Sequence, residues 1–389
     1  MPNLTPHHAT LGYCTNVHAG TDLASIRRNL DEFSVPAREA SGQEELGVGL
    51  WIPAQAASEL SGNALAFAEF LADRRLHAFT INGFPFDNFH QTVVKHRVYE
   101  PTWWETERLD YTCQLADILV DLLPAGESVG SISTLPIGWP TEATTQPRLE
   151  QAGENFRLLA KHLEKIEART GKRIVVAIEP EPGCILDSTQ DMIDWFEWHL
   201  PESIHRRFLT VCHDICHSAV MMEPQAEVLQ RLHEAGIGIG KVQVSSAVVA
   251  DWSCMADQRK QEAAIQLAEF AEDRYLHQTG RRRPDGSFDL AEDLPELLRA
   301  VEQSSVPMDG DQRWVVHFHV PIFLERFGHL GTSQTDVLDC LQYLRDHDVA
   351  FTGHLEIETY AWTVLPASMR QRGLAEDIAS EVRWLSDQL

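Results

Sequence analysis

The chain has 389 residues, 43% of them hydrophobic, and 58 acidic against 32 basic residues give a formal charge of −26. That apolar share is enough for a sizeable core and excludes disorder as the overall state. The acidic balance repels phosphate backbones and anionic lipid, which sets aside general nucleic-acid and membrane-surface binding.

Short apolar, β-branched runs alternate with long amphipathic patterns, the sign of βα units around a parallel sheet. In chain order the reading is strand 11–17, helix 21–33, strand 46–52, helix 55–74 and strand 77–82. A non-helical stretch at 84–102 precedes helix 103–123, strand 129–134 and helix 147–170, which Gly171 stops. Strand 173–179 follows, then helix 187–199, opened by Asp187 and Ser188, and strand 208–214. Helix 224–235 runs from Pro224 to the stop at Gly236, and strand 239–245 comes next. The remainder reads as helix 257–277, a non-helical stretch at 278–288, helix 289–303, strand 314–320, helix 333–346, strand 351–358 and helix 367–388.

Nine strands is one too many for a (β/α)8 TIM barrel. The simplest solution is a single domain over 1–389 in which 246–350, strand 314–320 included, forms a long insertion between barrel strands seven and eight. Seven scattered cysteines without a CxxC pair read as reduced thiols. The opening MPNLTPHHATLGY has no basic region followed by an apolar one, and no apolar run approaches ~18 residues. The expectation is a cytoplasmic protein with no membrane insertion and no nucleic-acid partner; a homo-oligomer is compatible with all of this.

In such a barrel the active site lies at the C-terminal ends of the strands. Those ends carry Asn16 and His18, Asn82, Ser133 and Thr134, Glu179, Asp214 with His217, Gln243, and the pair Glu356 and Glu358. The insertion strand adds His317 and His319, and Trp139 and Trp362 stand near strand ends where they could stack on a sugar face. Side chains alternate along a strand, so Glu358 lies nearer the mouth than Glu356, which remains the alternative ligand. Carboxylates converging with Asp214 are costly without a cation. Oxygen ligands suit Mn²⁺, Mg²⁺ or a similar divalent ion. The bland reading of Asp214 is an N-cap with His217 on a helix face, and that of Glu179 a solvated loop carboxylate.

Four of these strand ends resemble the xylose-isomerase-like, AP-endonuclease-family TIM barrels. Ile178-Glu179-Pro180 matches that family's metal glutamate in an IEP context, and Asp214-Ile215-Cys216-His217 its D-x-x-H. Val242-Gln243-Val244-Ser245 looks like the glutamine form of its seventh strand, and Glu358, five residues after Gly353, its last glutamate. A narrower resemblance, to the EboE metabolite traffic proteins, rests on TNVHAG at 15–20, TINGFPF at 80–86, STLPIGW at 133–139, VHFHVPIF at 316–323 and HLEIETY at 354–360.

The resemblance implies one divalent ion, Mn²⁺ or Mg²⁺ before Zn²⁺, on Glu179, Asp214, Gln243 and Glu358. It implies an isomerase or epimerase of a polyhydroxylated, sugar- or cyclitol-like small molecule in a biosynthesis or export pathway. Glu179 and Glu358 would act as acid and base, and His217 would place a substrate oxygen or shuttle a proton. From their places at or near the strand ends, Asn82, His18, Glu356 and Trp139 are expected to contact substrate, and His317 and His319 to contact it or transfer a proton. The alternatives are a dehydratase, a hydrolase with two or more metals, and a barrel that binds a metabolite without turnover. The repair endonucleases of the superfamily carry histidines at the third and fourth strand ends, where this chain has Asn82-Gly83 and Ser133-Thr134.

Overall fold

A computed structural model describes residues 9–303, 311–367, 369–370 and 372–389. Positions 1–8, which carry most of the leader reading, lie outside the described residues, as do 368 and 371 of the last helical reading.

Eight parallel strands close into a barrel. They are β1 (Thr10–Cys14), β2 (Leu46–Trp51), β3 (Leu76–Asn82), β4 (Val129–Thr134), β5 (Arg173–Ile178), β6 (Leu209–Asp214), β7 (Ile239–Val244) and, after a long excursion, the strand His354–Ile357. That last strand sits between β7 and β1 and closes the circle. Residues 173–178 read RIVVAI with five of six positions buried. Such a strand is covered on both faces and so loses polar alternation. Helices coat the outside; Gln146–Thr170 starts on a proline turn and ends at Gly171, whose φ of +74 is the left-handed cap. Thr189–His199 opens with a full capping box between Ser188 and Asp191. The chain has the (β/α)8 fold read from its strands, with the insertion ahead of the last one.

The excursion carries a second sheet. Its strands are β8 (Val248–Asp251), β9 (Thr279–Arg282), β10 (Phe288–Ala291), β11 (Arg313–Val316), β12 (Arg326–Phe327) and β13 (Leu330–Thr332), in the order β10-β9-β11-β8-β13-β12. The closing barrel strand His354–Ile357 is therefore β14. The second sheet is antiparallel and has its own core, with Trp252, Trp314, Phe270 and Phe318 packed together.

Several expected elements differ. Residues 278–288, read as non-helical, form most of a β9–β10 hairpin, turned at Pro284-Asp285-Gly286 with Gly286 at φ +84. The Asp-Gly turn was its signal. Its Arg281 pairs with Asp289 and Asp311. The helix expected at 257–277 stops at Ala268, and that expected at 289–303 begins at Leu294. The 55–74 helix is split at Ser61-Gly62-Asn63 into Ala54–Leu60 and Ala64–Ala72. Strand 314–320 ends at Val316, so His317 and His319 lie beyond it.

Inside the barrel, Lys241 and Glu356 form a fully buried ion pair. A glycine makes room for it: a Cβ on Gly49 would fall onto the Glu356 carboxylate. His354 lies beside it in the interior, its Nδ1 2.8 Å from the Ser131 hydroxyl.

Two segments cover the mouth. After β11 the chain crosses over it, held by His317 N–H to Gln278 O and Val320 N–H to Ser246 O. The 84–102 loop is tied to the insertion by the Val94 and Lys95 N–H groups on Arg274 O and by a 2.6 Å Lys95–Asp293 ion pair. Among the described residues no helix is long and apolar enough to cross a membrane.

Candidate metal centre at the barrel mouth

Three carboxylates converge at the C-terminal ends of the strands. Glu179 follows β5, Asp214 ends β6 and Glu358 follows β14, and all three offer an oxygen within 4.8 Å of the others. Gln243 on β7 is paired in register with Asp214 and is fully buried.

The hydrogen-bond count is incomplete in a telling way. Asp214 Oδ1 accepts the His217 N–H at 2.9 Å, which is the capping role, and the Ser245 hydroxyl at 2.8 Å. Its Oδ2 has no hydrogen-bond donor. Glu179 Oε2 and both polar atoms of the Gln243 amide are equally bare. Buried polar groups are almost always satisfied, so four orphans at one mouth mark a place for a bound group. Glu358 is better supplied: Asn16 and Asn82 donate to its Oε1 at 2.6 and 3.2 Å.

Burial pushes the Glu179 carboxyl up to about 8, with His217 lowering it and Asp214 raising it. Glu358 is pushed well above its usual range by burial and then by Glu179 and Asp214. Asp214 stays below its usual range: burial opposes ionisation, but His217 and His319 outweigh it. A divalent cation would relieve this mutual repulsion, and the donor set of three carboxylates and one amide oxygen fits a hard ion.

A second grouping adjoins the first. His217 Nδ1 lies 2.7 Å from Pro180 O and His319 Nδ1 2.7 Å from Glu358 O, and carbonyls only accept, so both Nδ1 atoms carry hydrogen. His317 Nδ1 meets Gln278 Oε1 at 2.7 Å, while the amide nitrogen of that glutamine donates to Pro182 O. The Nε2 atoms of His217 and His317 are hydrogen-bonded at 3.2 Å, so one of the two carries a proton, and the raised His217 is the better donor. Those of His217 and His319 each lie 3.9 Å from Asp214 Oδ2. Rings pinned by Nδ1–H with Nε2 presented are how metal-binding histidines are oriented. Burial lowers His319 to about 4 and His317 well below its usual range. In His217, Asp214, Glu181 and Glu179 override burial and raise it.

The structure thus brings together Glu179, Asp214, Glu358, His217, His317, His319 and Asn82, with Gln243 on the neighbouring strand in register with Asp214 and Glu356. It places the other three elsewhere. Glu356 lies deeper on the same face of the strand, engaged by Lys241, while Glu358 lies past the strand end. His18 hydrogen-bonds Tyr13 at 3.0 Å and stacks on Phe33, and it does not line the mouth. Trp139 lines a larger cleft outside the mouth.

Sequence reading passed over Glu181, which accepts from Tyr99 at 2.6 Å and stands 4.0 Å from His317. The second glutamate of Glu179-Pro180-Glu181 was its only signal. Tyr99, Lys95 and Gln278 come from irregular or inserted segments, where no periodicity points inward.

No protein-family model matches the chain, and no curated protein does. Solved structures do. A xylose isomerase-like TIM barrel protein from Mycobacterium smegmatis in complex with magnesium superposes with a TM-score of 0.52 at 10% identity, covering 99% of this chain and 98% of that one. A xylose isomerase domain protein from Alicyclobacillus acidocaldarius matches with a TM-score of 0.48 at 14% identity, over 97% and 98%. The IOLI protein with a bound zinc atom matches with a TM-score of 0.48 at 11% identity, over 97% of each chain. The fold is that of the xylose isomerase-like TIM barrels.

Proposed function

We propose that the chain is a metal-dependent isomerase or epimerase of a sugar- or cyclitol-like metabolite, working by proton abstraction next to a carbonyl. The observation that carries this reading is the set of bare oxygens of Glu179, Asp214 and Gln243, buried beside Glu358 at the barrel mouth. These four residues would hold one divalent ion, Mn²⁺ or Mg²⁺ before Zn²⁺. When bound, it supplies Lewis acidity that stabilises negative charge on substrate oxygens as an enediolate develops.

The protein's own groups move the proton. Glu179 and Glu358 take it from the carbon beside the carbonyl and return it, to the neighbouring carbon in an isomerisation or to the opposite face in an epimerisation. As carboxylates they can accept that proton and give it back. His217, fixed through Nδ1 to Pro180 O, presents Nε2 to a substrate oxygen. Asn16 and Asn82 hold the Glu358 carboxylate in one orientation. His317, His319 and Glu181 form the wall on the insertion side. The motif resemblance to the metabolite traffic proteins supports a place in a biosynthesis or export pathway.

Glu179→Gln and Glu358→Gln should each lower turnover at least about a thousandfold with the fold intact by circular dichroism. Full activity in both variants overturns the assignment. The histidine grouping favours one second reading: a further ion at the Nε2 atoms of His217, His317 and His319, and with it a hydrolase. Two or more Zn²⁺ per chain would support it.

A further inference from the structure

The inner cavity among the carboxylates measures about 70 Å³. That is well below the ~300–1,000 Å³ of ordinary small-molecule sites, so the space suits the reacting end of a substrate rather than the whole of it. Pro85, Phe89, Val98 and Tyr99 line this cavity and also a cleft outside it of about 1080 Å³. Small-molecule sites commonly occupy ~300–1,000 Å³, so the outer cleft is roomy enough for most of a substrate.

The cleft has a built aromatic wall. Trp139 packs on Tyr99 with ring centres 5.2 Å apart and meets His96 edge-on at 4.8 Å. It also rests on Gly183, at the end of the Glu179-Pro180-Glu181-Pro182 turn; a Cβ there would come within 2.6 Å of the indole. The turn that carries the metal-site glutamate therefore fixes this ring as well. Further out, Trp104 lies beneath the Arg148 guanidinium at 5.5 Å. Five carboxylates line the cleft against two guanidiniums, Arg97 and Arg148. That excess disfavours a phosphate or another anion as occupant, while a flat indole suits an uncharged ring.

We propose that the substrate has two parts: a reacting end that enters the inner cavity, and an uncharged second ring seated on Trp139 in the outer cleft. The substrate class is then a glycoside or similar conjugate rather than a free monosaccharide. The proposal rests on the mouth being the reaction site, as argued above, but its test reads binding and needs no turnover.

The test uses the full chain in Mn²⁺ buffer and pairs of phenyl and methyl β-glycosides, glucosides and galactosides, measured by saturation-transfer NMR titration. The phenyl member of a pair should bind at least tenfold more tightly than the methyl member. Trp139→Ala should bring that ratio to about one, and Trp139→Phe should keep most of it, which separates lost stacking from a disturbed fold. A ratio near one in the unaltered protein, a ratio untouched by Trp139→Ala, or no binding of any glycoside overturns the proposal. Metal uptake, measured in the same samples, judges the isomerase reading separately: metal binding with a ratio of one sinks the two-part substrate alone.

Discussion

Metal uptake should be steeply pH-dependent, and the structure sets how steeply. Burial raises the Glu179 carboxyl to about 8, so at pH 7 only about one-tenth of it is ionised. A divalent ion binds the carboxylate form, so binding at pH 7 expels close to one proton from Glu179. Glu358 is raised in the same direction, by burial and then by Glu179 and Asp214, whereas Asp214 is held below its usual range and adds no proton. The affinity for Mn²⁺ should therefore rise roughly tenfold per pH unit between about pH 6 and pH 7.5, which is ~1.4 kcal/mol per unit, from Glu179 alone. Isothermal titration in two buffers of different ionisation heat gives the number of protons released directly. Glu179→Gln should lower that number by about one. An affinity flat across this range, with no protons released at pH 7, would refute the reasoning.

Other consequences follow from named contacts. Lys241→Met leaves the Glu356 carboxylate buried without its cation and should cost about 3–5 kcal/mol in urea unfolding, whereas adding Glu356→Leu should restore most of it. Gly49→Ala drives a methyl onto the Glu356 carboxylate and should abolish soluble expression, while Gly373→Ala, with nothing within 4 Å, should stay within about 0.5 kcal/mol. Glu381 is buried against the Thr359 hydroxyl, and burial raises its carboxyl to about 7. A raised acid stabilises the fold fully below its unfolded pKa and loses that contribution as pH climbs through about 7. Stability should therefore fall by roughly 3 kcal/mol between pH 4.5 and 8 on this account, a fall that Glu381→Gln flattens in thermal melts.

The barrel was legible because its strands are short apolar runs between capped helices. Asp214, Glu179 and Glu358 stood out because strand ends in such a fold form the mouth, and nearness to the mouth together with the family pattern ranked Glu358 above Glu356. What escaped reading lies in the inserted sheet and in the 84–102 loop. Tyr99 comes from that loop, and Gln278 lies just ahead of the short strand β9, so neither sits on a periodic face; only packing against the E-P-E-P turn brings them to Glu181. His18 misled for the opposite reason. It follows a barrel strand, but the 3-10 turn Thr15–Val17 takes it off the strand's line to stack on Phe33.

The central claim is that Glu179, Asp214, Gln243 and Glu358 hold one divalent ion. Metal content after equilibration with Mn²⁺ and gel filtration tests it most directly, comparing the unaltered chain with Asp214→Asn. One Mn²⁺ per unaltered chain, and almost none in the folded variant, is the expected result. A chain that retains no metal, or a variant that retains as much as the unaltered protein, would contradict the account.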